Sequence, residues 1–338
     1  MAHARTRALG ARPGRAEPGH LPRAVRGRRT PRHRPAALTV HVGVVGCGRW
    51  GVNVVRDLVA LGVDVTVAEL DDDRRARARL TGATRCVDAA EHLPECDGYV
   101  VVTQAPSHRE VCELVLERGA PVFVEKPPCT DVADVEALAS QGGDRLFVMH
   151  KWRYHPGIRA LADLASSGRL GTIERLATTR TGPGTLPPDV DVLWHLGTHD
   201  LSIAVEILGG VAPIRNVEAT HDSSGLITQC TVSMGQLPAA EHRMVVAAGV
   251  PAQVRRFVVT GSDASAVVEG ADVSAISVHR RDGVETLTIP RTMPLTQELR
   301  AFLVHLGGGS PPVSDAATAL TIARQLSEMQ RVANGAAP

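Results

Sequence analysis

Between Thr39 and Leu58 the chain reads TVHVGVVGCGRWGVNVVRDL: a short apolar run, glycines at 46, 48 and 51, then an amphipathic helical pattern. In this GxGxxG spacing a buried parallel strand ends at Gly46, which makes the tight turn. Gly48 lets backbone N–H groups approach a pyrophosphate, and Gly51 lets the new helix pack on the strand. The helix then points its positive N-terminus at the phosphates. Arg49 and Trp50 complete the loop and belong to the same expected cofactor-binding surface. A second apolar strand over 63–68 ends in Glu69, about 20 residues past the first glycine, where a carboxylate grips the adenosine ribose diol. Strand, glycine loop, helix and strand in this order imply a βαβ unit that binds a dinucleotide. A glycine-rich surface turn is the alternative, and it leaves the flanking strand and helix unexplained.

At 338 residues, two domains are the default. No apolar run approaches the length that spans a bilayer. The six cysteines (Cys47, Cys86, Cys96, Cys112, Cys129 and Cys230) lack CxxC spacing, which reads as reduced thiols of a cytoplasmic protein, with no disulfide framework and no metal site. Residues 1–37 carry ten arginines against the single carboxylate of Glu17, so the rest of the chain is acidic although the whole has a net charge of +1. That tail is rich in Arg, Pro, Gly and Ala and has no apolar periodicity, so it is expected to be disordered. Arg28-Arg29 is not followed by an apolar segment before the first strand, which argues against an export signal. A solvated extension accounts for the tail; a nucleic-acid-binding arm is the open alternative.

Beyond Glu69, charged helical and β-branched segments alternate. A helix over 72–80, a strand over 97–104, a helix over 108–118, a strand over 121–125, a helix around 132–139 and a strand over 146–150 predict a doubly wound parallel sheet. After His150 the pattern changes. Helices are expected over 156–167 and 192–208, a strand over 173–181, and alternating strands from 214 to 289, including a hairpin turning at Asp282-Gly283. Two helices finish the chain. The expected organisation is a tail over 1–37, a Rossmann domain over 38–152, and an α+β domain with a largely antiparallel open sheet over 153–338.

Dinucleotide sites of this kind place the nicotinamide at the carboxyl ends of the strands. Two such ends are polar here: Thr103-Gln104-Ala105-Pro106-Ser107-His108 and Glu125-Lys126-Pro127-Pro128. Thr103, Pro106, His108, Glu125 and Lys126 are therefore candidate cofactor contacts. Lys126, desolvated beside a cationic ring, would have a lowered pKa and suit the handling of a substrate hydroxyl. A second constellation runs from Asp189 to Asp200; in a continuous helix Asp191, His195 and His199 share one face. Neutral imidazoles there suit proton relay. Metal ligation by the two histidines is the weaker reading, because no third ligand is evident.

Taken together, GCGRWGVNVVRDL (46–58), the Thr103–Pro106–His108 turn, VFVEKPP (122–128), RYHP (153–156), GRLGTIE (168–174) and WHLGTHDLSI (194–203) resemble the Gfo/Idh/MocA oxidoreductases, which include glucose–fructose oxidoreductase and inositol dehydrogenase. The resemblance spans about 39–335 and implies NAD(P)-dependent hydride transfer at a carbinol or keto carbon of a sugar or cyclitol. It implies that Lys126 binds the reacting hydroxyl and that His199 is the acid/base. It places His195 where the family carries an aspartate, and Asp191 is expected to supply the missing charge to His195. The GRWGxNxVR loop is similar to that of nucleotide-sugar 3-dehydrogenases, so a nucleotide-linked pyranose is expected, with Arg153, His155 and Arg180 as candidates to hold its anionic part. Glu69 favours NAD over NADP, while Arg74 and Arg75 leave NADP open. The resemblance also implies a homodimer or homotetramer through the open sheet face. A non-catalytic NAD-sensing regulator, an NAD-dependent glycosidase and an imine or enone reductase are the alternatives on the same scaffold.

Overall fold

The computed structural model describes residues 40–187, 190–236 and 240–337. The tail over 1–37 and Asp189 lie outside the described residues.

Six strands form the first sheet: β1 (His41–Val45), β2 (Asp64–Ala68), β3 (Arg85–Val87), β4 (Gly98–Val101), β5 (Val122–Glu125) and β6 (Leu146–Met149). All pair in parallel, in the order β3-β2-β1-β4-β5-β6. This is the doubly wound order whose direction reverses between β1 and β4, opening a crevice at their carboxyl ends. Val42, Val44, Val100 and Val124 are wholly buried, as strands covered on both faces require. The crossovers are α1 (Gly51–Ala60), α2 (Asp72–Thr81), α3 (His108–Leu116) and α4 (Val132–Gly142). Asp71 caps α2 by accepting the Arg74 N–H at 2.9 Å, and Asp131 caps α4 by accepting the Ala133 N–H at 2.8 Å.

The second half begins with α5 (Pro156–Ser166), β7 (Ile173–Gly182) and α6 (Thr198–Leu208). It continues through β8 (Ile214–His221), β9 (Ile227–Gln236), β10 (Glu241–Ala248), β11 (Val254–Gly261), β12 (Ser265–Glu269), β13 (Ala275–Arg280) and β14 (Gly283–Thr288). These eight strands form one sheet, ordered β14-β13-β12-β11-β7-β10-β9-β8, antiparallel except where β7 pairs with β10. Ile158, Leu161 and Ile203 from α5 and α6 pack on Leu176 and Phe257 of the sheet. The fold is therefore an α/β Rossmann sheet followed by a mostly antiparallel one. The last hairpin pairs Arg280 with Gly283, so its two-residue loop is Arg281-Asp282, one residue earlier than expected. Gly283 supplies its positive φ of 155° at the first strand position rather than inside the loop.

The two final helices, α7 (Pro294–Leu306) and α8 (Ala316–Ala333), do not stay with the second sheet. Leu295, Leu299 and Phe302 of α7 join the core of the Rossmann sheet, and the Phe302 ring stands 5.2 Å from that of Phe123 in β5. Arg324 of α8 reaches Glu136 of α4 at 2.8 Å. A boundary at residue 152 separates the two sheets but not the helices that cover them.

Candidate active site

The glycine loop divides its labour among three positions. Gly46 has φ +94° and donates its N–H to the Ala68 carbonyl at 2.8 Å, tying the end of β1 to the end of β2. A Cβ on Gly51 would stand 2.5 Å from the Gly46 carbonyl oxygen, so only glycine lets α1 start this close to the strand. A Cβ on Gly48 would meet nothing within 4 Å, which leaves its backbone facing open space. Glu69 is 7% exposed, and its carboxylate accepts the Cys47 N–H at 2.7 Å and the Asp71 N–H at 3.2 Å. The expected ribose carboxylate is thus anchored to the glycine loop. The Arg74 guanidinium stands 4.0 Å from it, whereas Arg75 is engaged by the Glu69 carbonyl and Asp72. An open glycine face, a helix N-terminus and a fixed carboxylate fit an adenine dinucleotide.

At the end of β5, Lys126 points its ammonium across to the second half of the chain and donates to the His195 carbonyl at 3.0 Å. Burial pulls its pKa down to about 8; Lys151 and Arg180 act in the same direction and Glu125 against it. His199 is 8% exposed, and its Nδ1 has no hydrogen-bond partner among the described residues. Burial, then Lys126, Arg180, Lys151 and His150, hold this imidazole well below its ordinary pKa, so it is neutral at pH 7. His195 is lowered to about 4 by burial and by the cations Lys126 and Arg49. Lys126 therefore stands beside the histidine segment, where its charge acts on both His195 and His199 and that of Arg49 acts on His195.

The segment carrying these histidines is not a continuous α-helix. Leu193–Gly197 forms a π turn before α6 begins, and such turns recur at functional sites. The π turn begins beyond Asp191, and the His195 N–H still donates to the Asp191 carbonyl at 2.9 Å. Asp191 is 3% exposed and spends one oxygen on the Trp194 N–H at 3.0 Å and the other on the Gln330 side chain at 2.8 Å. It caps the turn and supplies no charge to His195, whose charged neighbours are cations. Replacing Asp191 with Asn is expected to leave the pH profile of activity unchanged. Replacing it with Ala is expected to lower stability by about 1–2 kcal/mol, the usual cost of a lost cap, read by thermal unfolding.

Four further expected contacts are engaged elsewhere. His108 is buried with its ring nitrogens 2.9 Å from the Pro127 carbonyl and 3.3 Å from the Thr103 carbonyl, so it braces the loop carrying Lys126. Arg153 pairs with Glu206 at 2.9 Å and with the Val313 carbonyl. His155 accepts the Gly157 N–H at 3.1 Å as the cap of α5, with its other nitrogen 3.1 Å from the Ala271 carbonyl. Arg180, 1% exposed, pairs with Asp200 at 2.6 Å and lies 4.3 Å above the Trp152 ring. All four side chains are engaged within the protein, although Arg180 Nη2 keeps no partner among the described residues. Thr103 bonds Ser107 at 2.9 Å and Pro106 is exposed at the crevice.

Sequence reasoning passed over three residues here. His150 and Lys151 follow β6 directly; His150 is 1% exposed with neither ring nitrogen partnered, and the Lys151 ammonium lies 4.2 Å above the Trp50 ring. The rule that polar strand ends line the crevice applies to β6 as it does to β4 and β5. Lysine usage gives the same signal, since Lys126 and Lys151 are the only two lysines in the sequence. The third is Glu298, a carboxylate on the apolar stripe of α7 beside Leu295, Leu299 and Phe302.

A Rossmann sheet of this order, with a glycine loop and an anchored carboxylate at its switch point, defines a dinucleotide-binding scaffold. Residues 40–149 match the model of the Gfo/Idh/MocA oxidoreductase family, NAD-binding Rossmann fold. Among curated relatives, a myo-inositol dehydrogenase of Streptomyces leeuwenhoekii is 33% identical over 165 residues, which are 46% of this chain and 50% of the relative. An inositol 2-dehydrogenase of Saccharopolyspora erythraea is 34% identical over 145 residues, 40% of this chain and 43% of the relative. The match thus spans about half the length of these relatives. Among solved structures, a UDP-N-acetylglucosamine 3-dehydrogenase of Acidithiobacillus ferrooxidans superposes with a TM-score of 0.76 at 21% identity, covering 88% of this chain and 98% of the other. An Agrobacterium radiobacter oxidoreductase in complex with NAD+ gives a TM-score of 0.78 at 16% identity, covering 88% and 96%. These likenesses extend the shared fold over both sheets. Among the described residues, no helix is long and apolar enough to cross a membrane.

Proposed function

We propose that the protein is an NAD(H)-dependent dehydrogenase or ketoreductase acting on a carbinol or keto carbon of a cyclitol or a pyranose, the latter nucleotide-linked. The observation that carries this reading is Lys126 at the carboxyl end of β5, hydrogen-bonded across to the His195 carbonyl at 3.0 Å one helical turn before the buried His199, on which its charge acts. When bound, the nicotinamide accepts or returns the hydride at C4. Lys126 donates a hydrogen bond to the substrate oxygen and stabilises negative charge growing there. His199, neutral at pH 7, accepts the hydroxyl proton during oxidation and returns it during reduction. The cations around it disfavour the imidazolium, so the proton passes on rather than resting. Residues beyond 152 contribute His195, His199 and the wall holding them, in keeping with a substrate-binding role. The inositol dehydrogenases and the nucleotide-sugar dehydrogenase among the similar proteins support the substrate class.

The test is to offer purified protein and NAD+ a panel of inositols and nucleotide sugars while following absorbance of the reduced cofactor. Steady production with one class supports the proposal; none with any member, in either direction, removes it. The anchored Glu69 predicts tighter binding of NAD(H) than of NADP(H), because a carboxylate repels the 2′-phosphate. Glu69→Ala is expected to weaken NAD(H) binding by roughly 10- to 100-fold, the value of one charge-assisted hydrogen-bonding group. Fluorescence titration with both cofactors measures this, and a preference for NADP(H) in the unaltered protein would reverse the assignment.

A further inference from the structure

Helix α7 crosses the Rossmann sheet on the α1 side, with the Phe302 ring 5.2 Å from Phe123 of β5 and 6.5 Å from Phe147 of β6. One turn earlier on the same helical stripe is Glu298, and two residues later on the same face of β5 is Glu125. The helix therefore sets Glu298 over Glu125 as it sets Phe302 over Phe123. Glu298 is 0% exposed, and neither of its carboxyl oxygens has a hydrogen-bond partner among the described residues. The groups facing the two carboxyls are Lys126 beside Glu125, Lys151, the unpartnered Trp50 indole N–H, and Tyr154, whose hydroxyl accepts the Val313 N–H. Thr296, also on α7, turns outward to Asp57 of α1 at 2.7 Å.

We propose that the buried Glu298 and the partly exposed Glu125 form a carboxyl pair holding a single proton, Glu298 as the protonated member and Glu125 as the ionised one beside Lys126. Two carboxylates at close quarters away from water do not both ionise. Burial raises both pKa values; the charge on Glu125 raises that of Glu298 further, while Lys126 and Lys151 offset the rise at Glu125. Glu298 is then a positioning residue. By taking the proton it fixes the negative charge on Glu125, which opposes the desolvation of Lys126. The effect on catalysis rests on the dehydrogenase reading; the shared proton does not.

Infrared spectroscopy of the full chain without substrate, together with carbon NMR of lysine labelled at Cε, tests this. The protein has only two lysines, so two NMR signals are expected, assigned with Lys126→Arg. The unaltered protein should show a carboxylic-acid carbonyl band at neutral pH, and both Glu298→Gln and Glu298→Met should abolish it. Glu125 carries the charge in the unaltered protein and in both variants, so the Lys126 midpoint should stay near about 8. A midpoint that shifts by a unit or more in Glu298→Gln would show that Glu298 carried charge, and overturns the assignment of the proton. Absence of the acid band from natively folded protein, or its persistence in both variants, overturns the proposal. A pair that behaves as described in a protein oxidising no offered alcohol would uphold the pair and reject the dehydrogenase reading.

Discussion

Replacing Lys126 with Met is expected to lower kcat by about 10²- to 10³-fold, the value of one preorganised donor at a developing oxyanion, while leaving NAD(H) binding nearly unchanged. In the proposed reading the glycine loop and Glu69 would hold most of the cofactor, and Glu69 bonds to the glycine loop rather than to Lys126. The ammonium faces the second half of the chain, where its hydrogen bond goes to the His195 carbonyl. Single-turnover measurements separate the two effects, and a loss of cofactor affinity as large as the loss of kcat would place Lys126 in binding instead. The pH dependence follows in sign. Lys126 donates as an ammonium, so kcat/KM for oxidation should fall as pH rises through about 8. His199 is already neutral well below pH 6.5, so no acid limb from this imidazole should appear near neutrality. In Lys126→Met the alkaline limb should vanish.

Much of the dinucleotide half was legible because its signals are local. Gly46, Gly48 and Gly51 specify a turn, an open face and a close contact, and each does so within a few residues of chain. The β-branched runs of β1, β4 and β5 announce strands buried on both faces. Lys126 was legible from its position after VFVE. What escaped depends on distant partners. Arg153, His155 and Arg180 resemble free anion-binding groups in a sequence, yet Glu206, Ala271 and Asp200 consume them from elsewhere in the fold. Asp191 and His195 keep helical spacing, but the Asp191 carboxylate is spent on the Trp194 N–H and the Gln330 side chain. The return of α7 to the Rossmann sheet is invisible to periodicity, which reports an apolar stripe but not what covers it. Glu298 on that stripe was the readable anomaly, and only the fold supplies Glu125 opposite it.

Asp200→Ala is expected to cost about 3–5 kcal/mol of stability, the largest single loss at this site, because it strands a buried guanidinium. Arg180 and Asp200 are 1% and 0% exposed and meet at 2.6 Å, with Arg180 lying 4.3 Å above Trp152 and 5.3 Å above Phe257. Arg180 Nη2 and Asp200 Oδ1 have no partner among the described residues, so the pair is already incompletely satisfied. Replacing both residues together, Arg180→Met with Asp200→Leu, should therefore recover most of the stability, since an apolar pair removes two desolvated charges at once. Calorimetric unfolding of the single and double variants measures this; a double variant as unstable as Asp200→Ala would show that packing of the guanidinium on the rings, not its charge, was lost. The chemistry should respond separately. Arg180 lowers the pKa of both Lys126 and His199 across the wall of the cleft. Without it, the alkaline limb of the double variant should move to higher pH even where the fold has recovered.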